Sequence, residues 1–412
     1  MNKSFFTRNR NKLYESIPDG ALLIVCSGGE SHRTADENFR FFANRNFVYL
    51  TGIDEPDCIL LVRRTSGVLH ETLFIRDPDP IAEAWNGRRI TVSEAAEVSG
   101  ISDVAMRSSF DTVFHKLVND IYYQELHLCL EANRGQERTD QNHIFHRMIQ
   151  EKYANLNVKN AFPQIASQRM IKSLEEIEAL KKATAITREG ILRMLAVCKD
   201  AKNEMDLFAE YMHVIHKHGA VEAAFKPIIS CADNNFYLHY DAPKGKLIDD
   251  ALCLVDVGAT VNFCHVDISR VFPRNGKFNE RQRAIYNIAL EVNNIVTDAI
   301  KPGMNFTDID KMNRELTFPH LKALGLLTDI ADIQKYVWHG CSHHIGFDVH
   351  DVGSYKVPIA EGMFFSMDMG IYVREWGIGM RIEDDVLVTN TGLRNLSESI
   401  PRTIEDIEAA MA

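Results

Sequence analysis

Asp256 and Asp267 set the chemistry this sequence can do. Each interrupts an apolar, β-branched run in LCLVDVGATVNFCHVDISR, residues 252–270, where a buried strand would carry another Val or Ile. A hairpin centred near Val261–Asn262 places the two directly across from each other, with Cβ atoms ~4.5–5.5 Å apart. Ionised carboxylates that close in an apolar sheet repel each other and are poorly solvated, so either a cation lies between them or one keeps its proton. Downstream, HGCSHHIGFDVHDVG carries His339, His343, His344 and His350. A single histidine reads as structural, but four in one Gly-punctuated segment point to function, and H-x-x-x-H can put two imidazoles on one helical face. Asp368 in FFSMDMGIYV and Glu383 in MRIEDDV add two more carboxylates in strand-like segments. Four carboxylates and one imidazole match a two-metal site whose ions sit ~3.5–4 Å apart and share bridging ligands. Oxygen-rich ligation suits Mn, Mg or Fe(II) better than a thiolate-bound structural zinc. Such a site activates water and polarises a carbonyl or phosphoryl oxygen. The histidines beyond the ligand set are left to act on substrate.

The elements that must hold these residues are legible in the same way. Apolar positions Ile177, Leu180, Thr184, Thr187, Ile191 and Leu195 recur at three- and four-residue spacing and predict a helix, with Ser173 and Glu176 as its capping box. Asn203 caps a second helix, and Glu280–Ile300 forms a third, ending before Pro302-Gly303. A fourth spans Thr307–Leu324, broken or kinked at Pro319. Before these, strand-like runs (Ala21–Cys26, Cys58–Val62, Thr72–Ile75) alternate with helical ones (Val92–Val98, Asp111–Val118), an α/β pattern. The aromatic stretch FRFFANRNFVYL reads as core or interface. A domain boundary falls near Gln168–Ser173.

A chain of 412 residues has room for two cores. Hydrophobic content of 45% and charged content of 25% are those of an ordinary globular protein. The net charge of −11 and the lack of a Lys/Arg run argue against nucleic acid as a partner. No stretch approaches the ~20 apolar residues of a membrane span, and MNKSFFTRNRNK lacks the apolar core of a signal peptide. Eight scattered cysteines without a C-x-x-C pair fit buried, reduced thiols, and the expectation is a cytoplasmic protein.

Several separated stretches, in order, resemble the aminopeptidase P and prolidase group of pita-bread metallopeptidases. They are LHY (Leu238–Tyr240), LVDVGA (Leu254–Ala259), VDISRVFPRNGKF (Val266–Phe278), the histidine segment and GMRIEDDVLVT. FRFFANRNFVYLTGIDEPD and WNGRR look like the N-terminal domain of aminopeptidase P. The resemblance implies an α/β (α+β) protein. A creatinase-like α/β domain over residues 1–170 precedes a pita-bread catalytic domain over 171–412, with a curved antiparallel sheet flanked by helices. Carried over, Asp256 chelates one metal, Asp267 and Glu383 bridge both, and His343 and Asp368 complete the other. His239, His339 and His350 hold substrate carbonyls and stabilise the tetrahedral intermediate. Arg381 orients a carboxylate ligand and Tyr372 lies near substrate. The implied reaction is attack by a metal-bridging hydroxide on the bond between an N-terminal residue and a following proline. The implied cofactors are two divalent ions, manganese first, with zinc, iron or cobalt as alternatives. The implied partners are peptides with proline second and copies of the same chain, in a dimer or tetramer.

Three departures bear on that reading. The family has Glu in E-P-G where this chain has Asp368-Met369-Gly370, and in the family that residue is both ligand and proton shuttle. Aspartate withdraws the carboxylate by roughly 1–1.5 Å. The link from His350 to Asp368 is short and lacks the family's arginine, leaving Lys356 as a substitute, and the Gly before LHY is absent from SCADNN. A dipeptidase of the prolidase kind, or a metal-poor non-peptidase or binding member, therefore stands beside the aminopeptidase reading.

Overall fold

The computed structural model describes residues 1–132, 140–220 and 222–412, and the chain divides into two units, Met1–Gln168 and Arg169–Ala412. In the first, α1 (Lys3–Tyr14) leads into β1 (Ala21–Cys26), a small hairpin β2–β3 (His32–Thr34, Glu37–Asn38) and α2 (Arg45–Thr51). Then come β4 (Ile59–Thr65), β5 (Val68–Ile75), α3 (Pro80–Asn86), α4 (Val92–Ser99), β6 (Val104–Met106) and α5 (Phe110–Val118). β7 (Glu125–Leu128), α6 (Gln141–Lys152), β8 (Asn157–Asn160) and α7 (Phe162–Met170) follow, the last two residues of α7 belonging to the second unit. The sheet order is β6-β5-β4-β1-β7-β8, antiparallel at β1–β4 and β4–β5 and parallel elsewhere. The continuous apolar run ALLIVC is explained by its place: β1 has a neighbour on each side and is buried along its length. Of the aromatic stretch, Phe47 and Tyr49 are buried while Phe39 and Phe42 are exposed, and Trp85 on α3 is 84% exposed.

The second unit is a set of antiparallel hairpins backed by long helices. α8 (Leu174–Val197) and α9 (Glu204–Lys217) begin at the capping boxes Ser173/Glu176 and Asn203/Asp206. β9 (Ile228–Cys231) pairs with β10 (Leu252–Val257), which pairs with β13 (Ile268–Pro273). The tip between β10 and β13 carries β11 (Thr260–Val261) and β12 (Cys264–His265). α10 (Glu280–Ala299) and α11 (Phe306–Ala323) follow, then β14 (Phe364–Val373), β15 (Ile378–Val388) and β16 (Leu393–Asn395), all antiparallel, and α12 (Ile404–Ala410). Ile191, Leu195, Tyr211, Ile285 and Val292 from the helices share one core with Leu254, Val271 and Met380 from the sheets. Full burial of each such aliphatic side chain contributes roughly 1.5–3 kcal/mol, which is what carries a polar site inside the same unit.

Three expectations about these elements need correction or narrowing. β10 and β13 meet through the two-residue turn Asn262-Phe263, both at positive φ, so Asp256 stands opposite Ser269 and Asp267 is its diagonal neighbour. α11 continues past Pro319 without a break. The histidine segment forms no helix. Cys341 O accepts from Asp368 N, His343 O from Ser366 N, and Ile345 N donates to Phe364 O, so this stretch lies extended along the free edge of β14. The Gly-rich chain finds its backbone partners on that edge rather than within itself.

Candidate metal centre and active site

Two hairpins bring the carboxylates together. β10–β13 carries Asp256 and Asp267, and β14–β15 carries Asp368 and Glu383 as a direct cross-strand pair. Face-to-face acids therefore exist in this fold, on the second hairpin. Asp267 falls in a gap of its ladder, where its N–H donates instead to Asp385 Oδ2 at 3.0 Å. Gly258 makes that gap possible, since a Cβ there would lie 1.7 Å from Val266 O. β13 packs alongside β15, and Arg270 brackets them by donating to the carbonyls of Ser269 (2.9 Å) and Glu383 (2.8 Å).

These residues surround a cavity of about 150 Å³ lined by Leu238, His239, Asp256, Asp267, His339, Gly340, His343, His350, Asp368, Arg381 and Glu383. The site residues singled out in the sequence are thus in its wall, except Tyr372, whose hydroxyl lies 3.0 Å from His339 Nε2, and His344, which is buried against Phe306 and Tyr355 instead. Lys356 is exposed and is not among the lining residues. Two groups of donor atoms fall within 4.8 Å of one another, Asp256/Asp267/Glu383 and Asp267/His343/His350. Asp267 belongs to both, as a bridging carboxylate must. Asp368 belongs to neither, and its Oδ2 is 3.3 Å from His339 Nδ1.

Backbone carbonyls orient the imidazoles of His343 and His339. His343 Nδ1 lies 3.3 Å from His344 O, an acceptor, so Nδ1 carries the proton and Nε2 faces Asp267 Oδ2 and Glu383 Oε1, each at 3.4 Å. A metal-binding histidine is held in this way. His339 Nδ1 donates to Gly340 O at 2.8 Å, and burial keeps its pKa below the ordinary imidazole value. In the neutral ring Nε2 then accepts the Tyr372 hydroxyl. Arg381 pairs with Asp256 Oδ2, donates to Leu238 O at 3.3 Å, next to His239, and donates to Ser269 Oγ at 3.0 Å. Ser269 in turn donates to Glu383 Oε2 at 3.0 Å. Ser269 and Asp385 position the ligand candidates, yet nothing in their local sequence marks them. Their roles follow from register alone.

The electrostatics require positive charge. Burial, then the neighbouring Glu383 and Asp256 carboxylates, push Asp267 well above the ordinary carboxylate range. Burial and Asp368 lift Glu383 to about 7, and burial and Asp256 lift Asp368 to about 7 against the opposing pull of Arg381. At Asp256 burial also acts upward, but the Arg381 guanidinium prevails and holds it low. Burial would lower His343, yet its bonds to Asp267 and Glu383 raise it well above the imidazole range. Oδ1 of Asp256, Asp267 and Asp368 is buried without a hydrogen-bond partner among the described residues. Unpaired carboxylate oxygens around a shared cavity, with one Nε2 turned inward, form a donor set that fits divalent cations.

The chain is similar to known proteins along its length. Residues 178–390 match Metallopeptidase family M24, and residues 6–125 match the aminopeptidase P N-terminal domain. Xaa-Pro aminopeptidase of Escherichia coli (strain K12) is 30% identical, with 98% of this chain and 97% of that protein aligned. A structure of a putative aminopeptidase P from Bacillus anthracis superposes with a TM-score of 0.95 at 36% identity, covering 100% of this chain and 98% of that one. Zn-substituted E. coli aminopeptidase P in complex with product gives 0.91 at 29% identity, again over 100% and 98%.

Proposed function

The chain belongs to metallopeptidase family M24, and from that premise we propose that this metallo-aminopeptidase uses two divalent ions to release an N-terminal residue that precedes proline. The observation that carries the reading is the pair of donor groups sharing Asp267 in one small cavity. Asp256, Asp267, Glu383, His343 and Asp368 would hold the ions, within a catalytic domain spanning 171–412. When bound, the ions supply Lewis acidity and lower the pKa of water so that hydroxide is available as nucleophile at neutral pH. A carboxylate-rich donor set puts manganese first among the candidates.

The chain's own residues do the rest. Arg381 fixes Asp256 and, through Leu238 O, the segment bearing His239. His239, His339 and His350 line the cavity where a peptide carbonyl would lie, and Tyr372 sets the ring of His339. Donors aimed at the developing oxyanion favour the transition state over the ground state. Asp368, beside His339, would take a proton from the attacking water and deliver it to the departing proline nitrogen. Proline offers no amide hydrogen and has a fixed φ, so a shaped cavity with metal activation suits it better than backbone pairing does. The relatives' names, Xaa-Pro aminopeptidase, support the same substrate class.

The test is release of the first residue from a short Xaa-Pro-Xaa peptide by chelator-stripped protein after Mn(II) is added back. We expect turnover that depends on the ion. Cleavage of an Xaa-Pro dipeptide but not of the longer peptide would replace this reading with a dipeptidase.

A further inference from the structure

The extended pairing that holds His343 along β14 ends at Ile345, and His350 lies five residues further on, in irregular chain. What fixes that part of the segment is the next residue. The Asp351 side chain is fully buried, and both of its oxygens are engaged. Oδ1 accepts from Arg169 Nη2 and from Val352 N at 3.0 Å, and Oδ2 accepts from Lys172 Nζ at 2.9 Å. Arg169 Nη2 also holds Asp348 Oδ2 at 2.7 Å, and Lys172 Nζ donates back to Arg169 O at 2.6 Å. Asp351 N donates to His344 O at 2.8 Å, closing residues 344–351 into a loop. The packing leaves no slack, because a Cβ at Gly346 would lie 2.1 Å from Asp351 Oδ2 and 2.4 Å from Lys172 Nζ. Arg169 and Lys172 both precede the stretch that matches the M24 family.

We propose that Asp351, gripped by Arg169 and Lys172, is the positioning residue for His350. A buried carboxylate between two buried cations is a poor source of net stability but a stiff geometric constraint. Here it fixes the backbone one residue from an imidazole whose ring lies 4.5 Å from that of His343 and 6.2 Å from that of His239. The inference rests on the reading that His350 acts on substrate. Wild-type turnover of the Xaa-Pro-Xaa peptide tests that reading separately from the clamp.

The test is a double-mutant cycle in the full chain with Mn(II). Asp351→Asn should lower kcat/KM about 10- to 100-fold, the range for partners that orient active-site ligands. The loss should fall on kcat and KM in the same proportion as in His350→Ala, and the double variant should be no worse than His350→Ala alone. Gly346→Ala, which displaces the clamp while keeping every charge, should show the same non-additivity, and it carries the test if Asp351→Asn does not fold. A second readout needs no metal. The His350 Cε1–H resonance of the metal-free protein, identified by its loss in His350→Ala, should shift or broaden in Asp351→Asn. Losses that multiply in the double variant would overturn the proposal, as would an unmoved resonance or a His350→Ala variant as active as wild type.

Discussion

Asp368 and Glu383 face each other across β14–β15, yet only Glu383 reaches a donor group in the cavity. Aspartate is one methylene shorter than glutamate, and its Oδ2 lies 3.3 Å from His339 Nδ1. Asp368→Glu lengthens the side chain by that methylene and should keep or raise kcat/KM. Asp368→Asn has the same size but can neither take a proton nor offer a second anionic oxygen, and it should abolish turnover. Steady-state rates on an Xaa-Pro peptide, with ion content measured for each variant, check both. An Asn variant as active as wild type would remove Asp368 from the mechanism. A displacement near 1 Å is worth ~10²-fold in rate, so the two variants should be well separated. The acids were legible in the sequence because each breaks an apolar pattern, and His339, His343 and His350 because they cluster in one Gly-punctuated segment, whereas His239 came only from the family resemblance. Ser269, Asp385 and Asp351 were not, because a serine or aspartate that orients another residue shows itself only when its partner is in place.

At the level of the element, what escaped the sequence was an offset of two residues. A one-residue slip in a hairpin turns every side chain to the opposite face and would contradict the apolar pattern. A two-residue slip keeps every face, so alternation cannot detect it. The turn decides, and Asn262-Phe263, with Phe263 at φ +68, is not a pair that announces a two-residue turn. The helices, by contrast, were readable to within a residue or two at Ser173, Asn203 and Glu280, because caps and stripes are local. The pinch at Gly258 gives this hairpin a specific weakness. Gly258→Ala pushes a methyl into Val266 O, a backbone atom that cannot swing aside, and opens the ladder at Asp267. Overpacking of this kind costs about 1–3 kcal/mol or more, which corresponds to a fall in Tm of roughly 2–4 °C per kcal/mol in a domain of this size. Gly392→Ala meets only Ile300 O at 3.5 Å and should unfold with the wild type. Thermal melts of the two variants side by side check this, and equal Tm values would show that the hairpin relaxes.

On the scale of the molecule, one unit carries all the candidate ligands, Arg169–Ala412, and it buries more negative than positive charge around one cavity. In metal-free protein, protons must compensate. Burial, with the neighbouring carboxylates, raises Asp267, Glu383 and Asp368 in the fold, the last two to about 7, while the unfolded chain titrates them near 4. Between those values the folded state binds more protons than the unfolded state at these three carboxylates, so their contribution to stability falls as pH rises from about 4 to about 7. It outweighs the opposite contribution of His339 and His344, which burial lowers, the latter to about 4. His343, raised by Asp267 and Glu383 despite its burial, acts in the same direction above the ordinary imidazole range. Divalent ions reverse the balance, because they bind the deprotonated ligands and only in the fold. An ion at 100 times its Kd adds about 2.7 kcal/mol, and competition from protons shrinks that gain as the solution is acidified. Chelator-stripped protein should therefore lose Tm steadily from pH 5 to pH 7.5, and the increase in Tm on adding Mn(II) should be small at pH 5 and largest above pH 7. A Tm gain independent of pH would mean that the ions bind away from these carboxylates, and the two-metal centre would have to be sought elsewhere in the chain.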